Sequence, residues 1–144
     1  MRAAMEEAKA AALRDEVPIG AVIVDPITQK IIARAGNRTR ELNDPSAHAE
    51  ILVIREACRL AGAQRIPDLD LYVTLEPCAM CTGAISFARI KRIIFAATDQ
   101  KGGGILHGGK FYEQPTCHHK PEVLHGLMQE EAGTILKEFF KMKR

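Results

Sequence analysis

Two short clusters constrain this chain more than anything else in it: His48-Ala49-Glu50 and Pro77-Cys78-Ala79-Met80-Cys81. Together they offer three zinc-type ligands and one carboxylate with no ligand duty. A structural zinc is closed by four protein ligands, whereas a catalytic zinc keeps three and leaves a position for water, so the pattern is that of a hydrolytic metal site. Its demand on the fold is specific. Proline is favoured at the first helical position, so Pro77 is expected to open a helix with Cys78 and Cys81, three residues apart, on one face. Asp44 or Ser46 is available as the N-cap of another helix carrying His48 and Glu50. At about 100° per residue, His48 and Glu50 lie roughly 200° apart around that helix. Both can address one ion only if the helix aims its N-terminal end at it. Two helix N-termini must therefore converge on one ion, and their positive ends would help keep the thiols ionised.

Competing readings account for fewer residues. A thioredoxin-like Cys-x-x-Cys redox pair leaves His48 and Glu50 unexplained. A closed structural zinc site would recruit Cys58, Cys117 or another histidine. Cys58 falls on an apolar stripe with Ile51 and Ile54, which reads as a small core residue. Cys117, beside His118 and His119, reads as an ordinary loop thiol, with a second metal site as the alternative. Gly104 to Lys110 fits the Gly-x-x-x-x-Gly-Lys spacing, but Phe111 stands where a phosphate loop needs Ser or Thr and no helix is signalled after it. A flexible substrate-side loop is the expectation there.

With 144 residues, 47% of them hydrophobic, the chain is expected to form a single domain spanning residues 1–144. Four cysteines in no dense framework suggest a reducing compartment. Glu6, Glu7 and Lys9 stand where a signal peptide needs an apolar run, and no stretch approaches about 18 apolar residues. The expectation is a soluble, cytoplasmic protein with no membrane partner. A formal net charge of +2 is too mild to identify a nucleic-acid binder by itself.

Along the chain, Arg2 to Leu13 is Ala- and Glu-rich and predicts a helix. Residues 18–35 predict a β-hairpin, with a turn at Asp25-Pro26 and Thr28 to Lys30. A helix over about 46–61 ends at Gly62, a favoured capping residue. Asp70 to Leu75 is a strand feeding the cysteine helix, which runs to about Ala88, and Arg92 to Ala97 is a further strand. Strand, helix, strand implies a parallel crossover, with the site at the carboxyl ends of the strands. A long loop from Asp99 to about Pro121, a short fifth strand near Glu122 to Leu124 and an amphipathic helix from about Leu127 to Lys143 complete the pattern.

The His-x-Glu and Pro-Cys-x-x-Cys pair is the known signature of the zinc deaminases. Further matches are Glu16-Val17-Pro18-Ile19-Gly20-Ala21-Val22, Gly36-Asn37-Arg38, Leu71 to Cys78, Asp99-Gln100-Lys101-Gly102-Gly103 and the terminal Glu138 to Arg144. On these the chain resembles the bacterial tRNA adenosine deaminases of the cytidine deaminase-like superfamily, over nearly its whole length. The resemblance implies a three-layer α/β/α cytidine deaminase-like fold, with a five-stranded mixed sheet flanked by helices. It also implies a homodimer, Zn2+ held by His48, Cys78 and Cys81, and Glu50 as catalytic acid and base. The implied reaction is hydrolytic deamination of the wobble adenosine in the anticodon stem-loop of a tRNA, such as an arginine tRNA, to inosine. By the same resemblance Asn37 contacts the target nucleotide through its amide, the backbone of Ala49 helps hold the base, and Asp99 and Lys101 meet flanking RNA.

Each peripheral assignment has a plainer counterpart. Asn37 could serve turn geometry, and Asp99 with Lys101 could be a solvated turn pair. Phe139 and Phe140 could both be buried in a wide stripe with Leu136, or Phe140 could stack on a base. Lys137, Lys141, Lys143 and Arg144 fit either a phosphate-facing patch or an ordinary helix end. Thr98, where the family often has a basic residue, His118-His119 in place of a usual Asn-His pair, and a short N-terminus depart from the pattern. The remaining alternatives are a deaminase of free guanine, cytosine or a nucleoside, and a zinc-stabilised interaction module.

Overall fold

The computed structural model describes residues 1–143. Helix α1, Arg2–Leu13, buries Ala4, Met5, Ala8 and Ala11 on one stripe. The three alanines let it lie directly on the first strand, where a Cβ at Gly20 would stand 2.0 Å from the carbonyl oxygen of Ala4. Strands β1, Gly20–Asp25, and β2, Lys30–Gly36, form the expected hairpin, two residues shorter at its start. Pro18 has no N–H to give a ladder. Helix α2 is Ala49–Ala61, β3 is Asp70–Leu75, α3 is Ala79–Phe87 and β4 is Arg92–Ala97. Strand β5, Glu122–His125, and helix α4, Gln129–Met142, follow the long loop.

The five strands make one mixed sheet in the order β2-β1-β3-β4-β5. Pairings β1/β2 and β1/β3 are antiparallel, while β3/β4 and β4/β5 are parallel. Alternation along the strands supplies both faces with apolar side chains. Ala21, Ile23, Leu71, Val73, Ile93 and Phe95 pack with Val53, Ile54 and Ala57 of α2 and Ile85 of α3. On the other face Met5 of α1 and Ala132 of α4 meet Ala96 and Ala97. The result is the three-layer α/β/α arrangement that the family resemblance implies.

Both helix starts differ from the sequence reading, in the same direction. Helix α2 begins at Ala49, with His48 as its N-cap in extended conformation. Asp44 accepts hydrogen bonds from the N–H and hydroxyl of Ser46 and shapes the preceding turn, so neither residue caps the helix. Likewise α3 begins at Ala79 with Cys78 as its N-cap, leaving Pro77 outside the helix. His48 and Cys78 are thus the hinge residues through which the chain enters each helix. Spacing rules for a continuous helical surface do not govern them. Gly62 closes α2 in the left-handed region, φ 64°, as the sequence suggests. No helix among the described residues is long and apolar enough to cross a membrane.

Candidate metal centre and active site

Crossing from β3 into α3 delivers Cys78 and Cys81 to the carboxyl end of the sheet, and α2 brings His48 to the same point. His48 Nδ1 lies 3.6 Å from Cys78 Sγ and 3.4 Å from Cys81 Sγ. All three ligand atoms fall within 4.8 Å of one another, and among the described residues no further His, Cys, Asp or Glu joins the group. A tetrahedral zinc with its usual bond lengths sets nitrogen and sulfur about 3.5 Å apart, so the donor set fits such an ion. Cys58 sits half-buried near the far end of α2, its thiol directed at the carbonyl of Gln64. Cys117 donates to the carbonyl of His119 and neighbours Ser86 Oγ. Neither cysteine closes the site.

Electrostatics in the cluster follow from crowding. The hydrogen bond from Cys81, opposed by burial and helped by His48, brings the Cys78 thiol down to about 4. Cys81, which supplies that hydrogen bond and is buried, is pushed up. His48 is raised through its contact with Cys78. A bound metal would replace the shared protons, since thiolates and neutral imidazole are the ligating forms. Glu50 is 4% exposed, and burial raises its carboxyl above the ordinary range. Its Oε1 is buried with no hydrogen-bond partner. Such an atom normally has one, so the orphan beside three metal donors marks a place for a proton-bearing ligand.

Around this floor stand two loops. Asn37, at the start of the first, is 5% exposed, and its Oδ1 accepts the N–H of Ala49 at 2.8 Å. It thereby caps α2 from outside the helix. The turn role weighed in the sequence becomes a capping role, and the N–H of Ala49 is already engaged. Asp99, on the second loop, accepts the N–H groups of Lys101 at 3.1 Å and Gly102 at 2.9 Å, while Lys101 is exposed at the tip. Phe140 is 48% exposed and Phe139 is half-buried, so the stripe does not bury both. Lys143 pairs with Asp15 and lies 5.5 Å from the Phe139 ring centroid, whereas Lys137 and Lys141 are exposed. The expectation for Arg144 lies outside the described residues.

The long loop corrects the expectation of flexibility. Gly104 donates to the carbonyl of Pro77, Tyr112 donates to that of Thr82, and the His119 ring contacts that of Ile90. A short 3-10 turn at Phe111–Glu113, not a helix, follows Lys110, which removes the phosphate-loop reading. Two organising residues escaped the sequence reading. Glu16, 1% exposed, accepts the N–H groups of Arg40 at 3.1 Å and Glu41 at 2.8 Å. Glu76, 2% exposed, gathers donors from the long loop. A carboxylate placed between an apolar strand and Pro77-Cys78 was the available signal.

Comparison with known proteins gives the family. The MafB19-like deaminase model matches residues 1–144. The tRNA-specific adenosine deaminase of Agrobacterium fabrum is 58% identical over 144 residues, 100% of this chain and 93% of the relative. A solved structure from a study of A-to-I editing by tRNA:A34 deaminases at the wobble position superposes with a TM-score of 0.92. It is 58% identical, over 94% of this chain and 97% of that one. The guanine deaminase of Bacillus subtilis superposes with a TM-score of 0.64 and 42% identity, over 67% of this chain and 61% of its own. Carried by the full-length match and by a fold and donor set that agree with it, this chain belongs to the tRNA-specific adenosine deaminase family.

Proposed function

We propose that this chain is a single-domain, cytoplasmic, zinc-dependent hydrolase that converts adenosine to inosine at the wobble position of a tRNA anticodon. The observation that carries the chemistry is the buried Glu50 carboxylate, whose Oε1 has no hydrogen-bond partner, beside Cys81 of the three-donor group. The full-length relatives supply the substrate class. His48, Cys78 and Cys81 would hold zinc, which when bound lowers the pKa of water from 15.7 toward about 7.

Glu50 supplies the proton transfers. It takes a proton from the attacking water and gives it to N1 of adenine as the C6–O bond forms, then takes the second proton from the new C6 hydroxyl and delivers it to the amine as the C6–N bond breaks. Water and adenosine become inosine and ammonia, and the carboxylate is restored. Burial suits Glu50 to the task, because a carboxyl that holds its proton more firmly is a competent acid near neutral pH. Asn37 and Ala49, joined by their hydrogen bond, form one wall for the base. The side-chain amide of Asn37 is the group offered to the nucleotide. Lys101 and Lys141 would meet phosphates, and Phe140 is exposed enough to stack on a base. An anticodon loop presents its adenine unstacked, at lower cost than a duplex. A homodimer is supported by the apolar outer face of α3, where Phe87 is 69% and Met80 41% exposed.

The rival reading, deamination of a free base, rests on the match to guanine deaminase. That match covers two thirds of the chain, whereas tRNA-specific relatives cover all of it. Incubation with total tRNA followed by nucleoside analysis tests the proposal. Inosine appearing at the wobble adenosine, with one ammonia released per inosine, is the expected result; no inosine in any tRNA would refute it.

A further inference from the structure

The Glu76 carboxylate makes an unusual number of hydrogen bonds for a group that touches neither the metal donors nor Glu50. Its side chain is fully buried. Oε1 accepts the N–H of Asp99 at 3.0 Å and contacts His107 Nδ1 at 2.9 Å. Oε2 accepts the N–H groups of Ile105 at 3.2 Å, Leu106 at 2.9 Å and His107 at 3.3 Å. The loop is shaped to let it. A Cβ on Gly103 would lie 2.2 Å from Oε2, and one on Gly104 would lie 3.0 Å from the nitrogen of Ala79. Gly104 also donates to the carbonyl of Pro77 at 2.8 Å. Residues 99–107 are therefore fastened to residues 76–79, the segment that enters α3 through Cys78.

A buried carboxylate needs compensation, and backbone N–H groups supply it at the strength of hydrogen bonds to a charged acceptor. Water could have solvated an exposed carboxylate with no such arrangement. The arrangement fixes a 23-residue separation in sequence, from Glu76 to Asp99, at hydrogen-bond distance. Through Asp99, whose carboxylate accepts the N–H of Lys101 at 3.1 Å, it also steadies the backbone that carries the exposed Lys101.

We infer that Glu76 is a positioning residue for substrate, holding loop 99–107 against the start of α3 so that the loop forms a fixed wall of the cleft. The inference rests on the proposed RNA deamination for its substrate but not for its geometry. It divides the site into a floor that does chemistry and a wall that sets affinity. Disturbing Glu76 should then change KM and spare the floor.

Glu76→Gln keeps size while replacing one acceptor oxygen by an amide that the loop N–H groups cannot use. Gly103→Ala attacks the same contact from the loop side with Glu76 intact. Both variants should retain about one zinc per chain. KM for an anticodon stem-loop should rise about tenfold, as for loss of one charge-assisted hydrogen bond, with kcat within about threefold of the parent. Amide hydrogen exchange at Ile105, Leu106 and His107 should accelerate about tenfold or more in Glu76→Gln. Unchanged exchange at these amides, or an unchanged KM in the folded Gly103→Ala protein, would overturn the inference. So would loss of zinc from Glu76→Gln with stem-loop affinity unchanged in a binding assay, which would make Glu76 a support of the metal donors alone. Should the parent protein deaminate no RNA, the functional proposal falls, while the exchange comparison still decides the role of Glu76.

Discussion

The metal-donor group and the loops around it are held by different kinds of interaction. His48 and Cys78 are N-caps, so one rigid helix each sets their positions, and Cys81 is buried one turn into α3. Position there is inherited from the sheet and from apolar packing on both sides. The loops instead hang on single buried acceptors: Asn37 for Ala49, Glu16 for Arg40 and Glu41, Glu76 for Asp99 and residues 105–107. Under the proposed function, the difference would make chemistry and substrate affinity separable in this fold. Damage to the floor should abolish turnover, and damage to the walls should tax binding first.

The largest expected effect is loss of metal. Cys81→Ala or exhaustive chelation should take zinc from about one to near none per chain by elemental analysis, and activity with it, because among the described residues no other donor joins the group. Retained zinc in Cys81→Ala would mean that a residue outside the group completes the site. Next is Glu50→Gln, which should keep zinc and lower kcat by about 10²–10⁴. Near-parental turnover would remove Glu50 from the mechanism and make the unpartnered Oε1 a structural accident.

Part of this division is legible in the sequence. His48, Glu50, Cys78 and Cys81 are visible because metal chemistry needs those residue types and they fall within two short segments. The convergence of two helix starts follows from them and is what the structure has. Where the reading fails, it fails by two or three residues at each start, since Pro77 and Ser46 are expected within helices that begin at Ala79 and Ala49. Glycine-rich composition suggested mobility for residues 102–110. The structure shows instead that Gly103 and Gly104 allow close approach to Glu76 and Ala79. Contacts between Glu76 and a loop that begins 23 residues later leave no periodic trace in the sequence. Phe139 and Phe140 could not be separated either, because burial depends on where α4 lies against α1.

Smaller effects sharpen the account of the walls. Asn37→Ala removes the external cap of α2 and should cost about 0.5–2 kcal/mol in a urea melt, with a raised KM. Asn37→Asp keeps an acceptor for the N–H of Ala49 while removing the side-chain amide, so it should restore stability but not KM. Equal recovery of both would make Asn37 a cap alone. The smallest effect belongs to the exposed cations. Lys101→Ala and Lys141→Ala should each flatten the log–log salt dependence of stem-loop binding by about 0.7. Lys143→Ala, whose side chain is already paired with Asp15, should change the slope less.

The central claim, that a folded RNA loop and not a free base is the substrate, is tested most directly by ammonia release. The parent enzyme is given an adenine-wobble anticodon stem-loop, free adenosine and free guanine in parallel, at one salt concentration. The account predicts a high kcat/KM for the stem-loop and turnover of adenosine and guanine at or near background. Efficient deamination of guanine or adenosine, with an inert stem-loop, would contradict it.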